Sequence, residues 1–392
     1  MLFCAFLWQP LLVAQIAIIG GGIGGLTAAL AFRQFGFQAE VFEQAPALLD
    51  VGAAIAIWPN AMRVLERLQL SEKILEKAGV MEAIQWSDQN GFVINRVSIA
   101  KTAVALHRAD LQSALLHSLP EDSIHLDHAF VNYKQENDKA IATFANGKSI
   151  AADFLIGADG IHSDVRLQFM NDGDPVFRGY TVWRGISPEV PSQLPPATAI
   201  EFHGRGKRFG IGPVGLGRIG WWATANAVDT DDTDGLMSLF AGWYPAVLEL
   251  LEATPKKSIL KTSAMDREPI NNWGHGRMTL LGDAIHPTTP NLGQGGCLAM
   301  EDAFVLARCF EKYGAVEEAL RTYERLRYKR TAAITKYSRY YGALGQWENV
   351  LGRALRKTAF SLVPEAVAQS LMQIVFDYDA TKVSTDYTDK SA

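Results

Sequence analysis

Three cysteines are all that 392 residues contain, too few for a disulfide framework. Cys297 and Cys309 are expected to share one helix, roughly 18 Å apart at about 1.5 Å per residue, and so cannot bridge. With Cys4 as the only other thiol, a reducing cytoplasm is the natural setting. The eight histidines and these cysteines show no ligand spacing, so no metal site is expected. Charge of one sign is lacking too. The 37 basic residues against 42 acidic leave a net −5, which argues against a nucleic-acid partner. There is no low-complexity tract and no solenoid-length repeat. The apolar N-terminus, "MLFCAFLWQPLLVAQIAIIGGG", has no basic n-region and no A-x-A-like cleavage site, and Pro10 breaks it short of a membrane span. Residues 1–12 read as a leader ahead of the fold, with membrane contact as the lesser alternative.

What is present is glycine in pattern, within an ordinary globular composition of 48% apolar and 20% charged residues. The length calls for two packed domains or one large core with an added layer. Residues 15–43, "QIAIIGGGIGGLTAALAFRQFGFQAEVFE", give an apolar strand, Gly20-x-Gly22-x-x-Gly25, a small-residue helix and a second strand ending in Glu43. Gly20 permits the tight turn, Gly22 lets backbone approach a pyrophosphate, and Gly25 lets helix pack on sheet. Glu43 is placed to accept from a ribose 2′-OH and would repel a 2′-phosphate, so this fingerprint predicts FAD or NAD rather than NADP. "GLGRIG", 215–220, fits the same pattern but precedes bulky, β-prone "WWATANAV", and is expected to be a turn between two strands.

Two further strand ends carry Asp. "ADFLIGADGIHSDVR", 152–166, places Asp159-Gly160 before a helix, where Ser163 and Asp164 could equally be caps. "RMTLLGDAIHPTTPNLGQGG" ends a strand at Gly282-Asp283 and then holds a loop rich in glycine and proline before "CLAMEDAFVLARCF". So many special backbone positions suggest close approach to a ligand. One Gly-rich helix start and two Asp-bearing strand ends could meet on one dinucleotide at the carboxyl edge of a sheet.

These motifs, with "HRADLQSALL" at 107–116 and "EDAFVLA", resemble the single-component FAD-dependent aromatic hydroxylases of the para-hydroxybenzoate hydroxylase type. The resemblance runs from about residue 13 over nearly the whole chain. "VGAAIAIWPNAMRVLERL" and "GKRF" resemble urate hydroxylases, whereas "YTVWRGI" and "PNLGQGGCLAMEDA" are more similar to salicylate hydroxylases and zeaxanthin epoxidases. The resemblance implies an α/β fold: a Rossmann-type FAD-binding domain (13–75, 98–176, 266–340), an interleaved β-rich substrate domain (76–97, 177–265), C-terminal helices (341–376) and a disordered tail (377–392). It implies noncovalent FAD, NAD(P)H as co-substrate, and hydroxylation or epoxidation of an electron-rich aromatic or polyene through a C4a-hydroperoxyflavin. The alternative on the same fold is a flavin-dependent reductase or dehydrogenase of an isoprenoid or quinone.

By the same resemblance, Glu43 binds the FAD ribose and Arg108 lies near the phosphate or ribityl chain. Asp159 serves FAD and NAD(P)H, and Asp283 holds the ribityl or pyrophosphate region. Pro290 to Gly296 lies along the isoalloxazine, with the bare backbone of Gly293, Gly295 and Gly296 offering N–H groups where charge develops on reduction. Pro290, Gly293 and Arg208 are the catalytic candidates. Arg208 sits where urate hydroxylases anchor substrate and could clamp a carboxylate or enolate, or be a surface arginine in "GRGKR". Asn291 falls where the urate branch often carries an acid. Trp183 and Trp222 could wall an aromatic pocket or be core residues. His286 reads as structural or as a proton shuttle. The stretch 314–376 reads as helices that either pack as a solvated tail or dock weakly on membrane. A monomer or a homodimer would suit the sequence.

Overall fold

The computed structural model describes residues 14–47, 53–226 and 233–385. The expected leader, residues 1–12, lies outside them. The chain builds two main sheets that it visits alternately. The first holds β1 (Gln15–Ile19), β2 (Gln38–Phe42), β6 (Ile124–His125), β10 (Phe154–Gly157), β16 (Gly274–His275) and β17 (Met278–Leu280), in the order β16-β17-β10-β1-β2-β6. All its pairings are parallel except β16 with β17. Both faces are covered, which is why β1 and β10 read as nearly unbroken apolar runs. Helix α1 (Ile23–Gln34) packs on α8 (Gly295–Tyr313), and their buried alanines, with Phe32, Phe304 and Phe310, join the main core.

The second sheet has eight strands in the order β15-β11-β14-β13-β12-β4-β5-β3. They are β3 (Ala54–Ile57), β4 (Gly79–Asp88), β5 (Val93–His107), β11 (Val176–Ser187), β12 (Thr198–His203), β13 (Lys207–Pro213), β14 (Ile219–Asn226) and β15 (Leu260–Asp266). The middle region is therefore larger than the boundaries 76–97 and 177–265, since β3 and the whole of β5 belong to its sheet. The decoy motif behaves as a turn: Gly215 and Gly217 take positive φ between β13 and β14. A meander of β7 (Phe130–Glu136), β8 (Lys139–Phe144) and β9 (Ser149–Ala152) forms a third, small sheet.

Helices α2 (Pro59–Arg67), α3 (Ser71–Leu75), α4 (Arg108–Leu116), α5 (Asp164–Met170), α6 (Thr233–Leu239) and α7 (Pro245–Ala253) connect these layers. The long α9 (Glu317–Gly345) is followed by α10 (Val350–Leu362) and α11 (Glu365–Phe376). The tail expected to be disordered from 377 is docked as far as Thr385. Asp377 pairs with Arg63 and Lys101, and Tyr378 lies against the guanidinium groups of Arg327 and Arg330. An aromatic ring over two cations and a paired carboxylate outweigh the entropy gained by fraying. Residues 386–392 lie outside the described chain.

Candidate active site

The three motifs follow three neighbouring strands. β17, β10 and β1 lie side by side and parallel, so Leu280, Gly157 and Ile19 end at one edge, and Asp283, Asp159 and Gly20 come just beyond it. Each fingerprint glycine answers to a different constraint. Gly20 has φ +110, and a Cβ there would stand 2.5 Å from the Ala158 carbonyl oxygen. Gly25 supports the helix-to-strand contact, since its Cβ would stand 1.9 Å from the Gly20 oxygen. Gly22 has extended backbone, and a Cβ there meets nothing within 4 Å, so open space adjoins the N-terminus of α1. That N-terminus has no side-chain cap and no acid in its first turn. Its free N–H groups and partial positive charge remain available to a phosphate.

Glu43 is oriented by backbone: one oxygen accepts from Gly21 N at 2.6 Å and the other from Ala45 N at 2.9 Å. Each oxygen keeps a lone pair for a further donor. Gln112 on α4 donates to the Gly21 oxygen at 3.0 Å, tying "HRADLQSALL" to the turn. It was visible only inside the quoted motif. Arg108 begins α4, and its charge reaches Asp283. Enclosure by the chain raises the Asp283 carboxyl, partly offset by His286 and Arg108. Its side chain nonetheless keeps solvent access along the cleft. Asp159 is also a cap: it accepts from Ser163 Oγ at 2.5 Å and Val165 N at 3.1 Å, while burial raises its carboxyl.

The loop 282–296 ends in a second open helix start. Gly293 takes φ +60, and α8 begins at Gly295 with no side-chain cap on Gln294 and no acid in its first turn. A 19-residue helix thus presents a bare N-terminus beside Asp283. A buried ionic cluster fixes the loop from below. Asp302 accepts from Gly282 N at 3.1 Å and meets His286 Nε2 at 2.5 Å, and Arg327 bridges Asp302 and Glu301 at 2.6 Å each. Burial acts to raise the Asp302 carboxyl, but His286 and Arg327 outweigh it and hold it low. His286 is therefore committed to structure. Arg166 adds the cross-tie from the Asp159 motif, donating to the carbonyls of Ala284 and Ile285. Sequence reasoning missed Asp302 and Arg327 as partners, although "EDAFVLA" contains the first.

The middle sheet meets this loop through one of its faces. Arg208 and Gly210 on β13, Trp222 and Thr224 on β14, Glu201 and His203 on β12, and Tyr180 on β11 share that face. Arg208 is fully buried, which removes the surface reading. Its guanidinium donates to Glu201 Oε1 at 3.0 Å, Asn291 Oδ1 at 2.6 Å and Gln346 Oε1 at 3.1 Å, and it lies 5.2 Å from the Trp222 ring centroid. It is a paired cation with its donors taken up. Asn291 carries this contact into the loop and also bonds Tyr180 and Ser338. Trp183 is a correction: pleating turns it to the opposite face, into a core with Phe209, Trp221, Phe240 and Leu250 beneath α6 and α7. Trp222 is on the Arg208 side, stacked so closely over Gly210 that a Cβ there would stand 2.1 Å away.

His203, beside Arg208 in the register, is buried with no hydrogen bond to either ring nitrogen and Glu201 Oε1 at 3.5 Å. Burial lowers its pKa to about 4, aided by Arg356 and Arg208 and opposed by Glu201. A histidine held neutral stabilises the fold fully above its unfolded value. That contribution declines as pH falls from 6.5 to about 4, by up to roughly 3 kcal/mol. His203→Phe should flatten this part of the stability profile in urea titrations; an unchanged slope would assign it to other groups.

The sequence matches the FAD binding domain family over residues 13–338. It is 36% identical over 354 residues to the aurachin C monooxygenase/isomerase of Stigmatella aurantiaca, covering 87% of this chain and 92% of that protein. It is 32% identical over 361 residues to the chloroplastic zeaxanthin epoxidase of an Oncidium hybrid cultivar, covering 82% of this chain and 53% of that one. The crystal structure of Klebsiella pneumoniae HpxO complexed with FAD and uric acid matches with a TM-score of 0.87 at 29% identity, over 93% of this chain and 96% of that chain.

Proposed function

Because the chain belongs to the FAD-binding family of monooxygenases, we propose that it uses NAD(P)H and O2 to oxygenate a neutral, electron-rich aromatic or polyene molecule. When bound, FAD supplies the redox chemistry, taking electrons from NAD(P)H and activating O2 toward the substrate. The residues at hand fit that group. The open start of α1 beside Gly22 suits the pyrophosphate, Glu43 and Asp283 suit hydroxyls, and the bare start of α8 suits the electron-rich edge of a flavin.

Neutrality of the substrate rests on one observation, the engagement of Arg208 by Glu201, Asn291 and Gln346. An anion arriving there would have to displace a buried carboxylate, and Tyr341 also donates to Glu201 at 2.6 Å. Paired buried charges resist such exchange. Arg208 then acts by holding Asn291, and through it the loop from Pro290 to Gly293.

The test is to screen the FAD-loaded protein for substrate-stimulated NAD(P)H oxidation under isotopically labelled O2. Neutral phenols, quinolines, quinones or polyenes should stimulate it and take up label. Response to urate or aromatic carboxylates alone would overturn neutrality. Saturation of an alkene without label would make the protein a reductase.

A further inference from the structure

Helices α10 and α11 carry their apolar residues on the outside. Leu351, Leu355 and Leu362 on α10 and Leu371 and Ile374 on α11 are 56–83% exposed. Their spacing follows i, i+4, i+7 and i+11, so each helix has one continuous outward stripe. The inward side of α10 holds the cation instead: Arg356 is buried and donates to the carbonyls of Leu344, Gly345 and Gly204. Water gives no reason for this inversion, because exposed leucines in a row are the pattern of a surface that is covered.

Two features say what covers it. Together α10 and α11 bear three basic residues, Arg353, Arg356 and Lys357, against the single acid Glu365, in a chain of net charge −5. Beneath α11 an apolar cleft of about 470 Å3 lies between Ile99, Met372 and Phe376 and reaches Trp58. The Trp58 indole stacks on Phe376 at 4.0 Å and would be 3.0 Å from a Cβ on Gly293, in the loop after Pro290. The outward stripes are thus continuous with an apolar path toward the candidate active site.

We propose that α10 and α11 dock the enzyme on an anionic lipid bilayer, with the cleft beneath α11 receiving an apolar substrate from it. No single helix among the described residues is long and apolar enough to cross a membrane, and these two bend by 99° at their junction. An L-shaped pair can rest both stripes in the interfacial layer. The role of the cleft rests on the substrate reading above; the docking does not.

Flotation of the FAD-loaded protein with phosphatidylglycerol–phosphatidylcholine vesicles tests docking without turnover. The protein should float, less so at high salt or on pure phosphatidylcholine. Leu351→Gln, Leu355→Gln and Leu371→Gln should each weaken partitioning by roughly tenfold, from the apolar area withdrawn, while flavin content stays unchanged. A protein that does not float, or leucine variants that float as well as the parent, would overturn the proposal. So would a dimer, broken by the same substitutions, that ignores vesicles, since the face would then belong to a second copy. If vesicles bind but no neutral apolar compound stimulates turnover, the substrate reading fails and the docking stands.

Discussion

Gly22→Val is expected to give a folded, colourless protein. Gly22 is extended, at φ −75 and ψ −177, a conformation that valine adopts freely. A Cβ there touches nothing within 4 Å, so the protein without flavin should denature at the parent's urea concentration. What the two added methyls fill is the space before the N–H groups of α1. Losing two or more charge-assisted hydrogen bonds of roughly 1.5–3 kcal/mol each should reduce FAD affinity by at least about a hundredfold. Gly25→Ala is the contrast: its Cβ would stand 1.9 Å from the Gly20 oxygen, so the fold itself should suffer. Flavin absorbance and urea midpoints read both effects. A yellow Gly22→Val protein with parental affinity would place the pyrophosphate elsewhere.

Arg208→Ala should destabilise the protein by about 3–5 kcal/mol, because Glu201 would be left buried without its cation. The substitution also frees Asn291, so NAD(P)H oxidation should uncouple from product formation. Arg208→Lys should rescue little, since one ammonium cannot reproduce bonds to Glu201, Asn291 and Gln346 together. Arg208→Met combined with Glu201→Gln should recover stability that the alanine variant lacks, because no unpaired charge remains. Denaturant titration of the FAD-loaded protein checks this. A stable Arg208→Ala protein with only a raised KM would restore the anion clamp that the sequence suggested.

The difference between the two glycine motifs and the arginine shows where reading a sequence succeeds. Gly20, Gly22 and Gly25 each answer a backbone demand within six residues of chain, and so does the parallel strand that precedes them. Asp159 and Asp283 were legible as strand-end residues for the same reason, because their motifs are local. Arg208 was legible as a residue of interest, but its partners Glu201, Asn291 and Gln346 come from three separate elements. Trp183 and Trp222 were indistinguishable until the register Trp183 with Ala223 fixed which face each occupies. A one-residue change of register exchanges those faces. The docked tail was misread because polar "DYDATK" carries no apolar signal; its order comes from Arg63, Arg327 and Arg330, far away in sequence.

The alternation of the chain between its two sheets bears on how the protein is made. On the ribosome β1 emerges early, yet its neighbour β10 follows only after 138 further positions, as Ile16 facing Phe154 shows, and β17 later still. Helix α8, which packs on α1, arrives after both. For most of translation the apolar strand Gln15–Ile19 therefore lacks one flank and one covering layer. Such non-local pairing makes folding slow and exposes early strands to aggregation. Flavin supply and slower synthesis should consequently raise soluble yield more than any change to the surface, since the nucleotide bridges motifs that the ribosome delivers last and first.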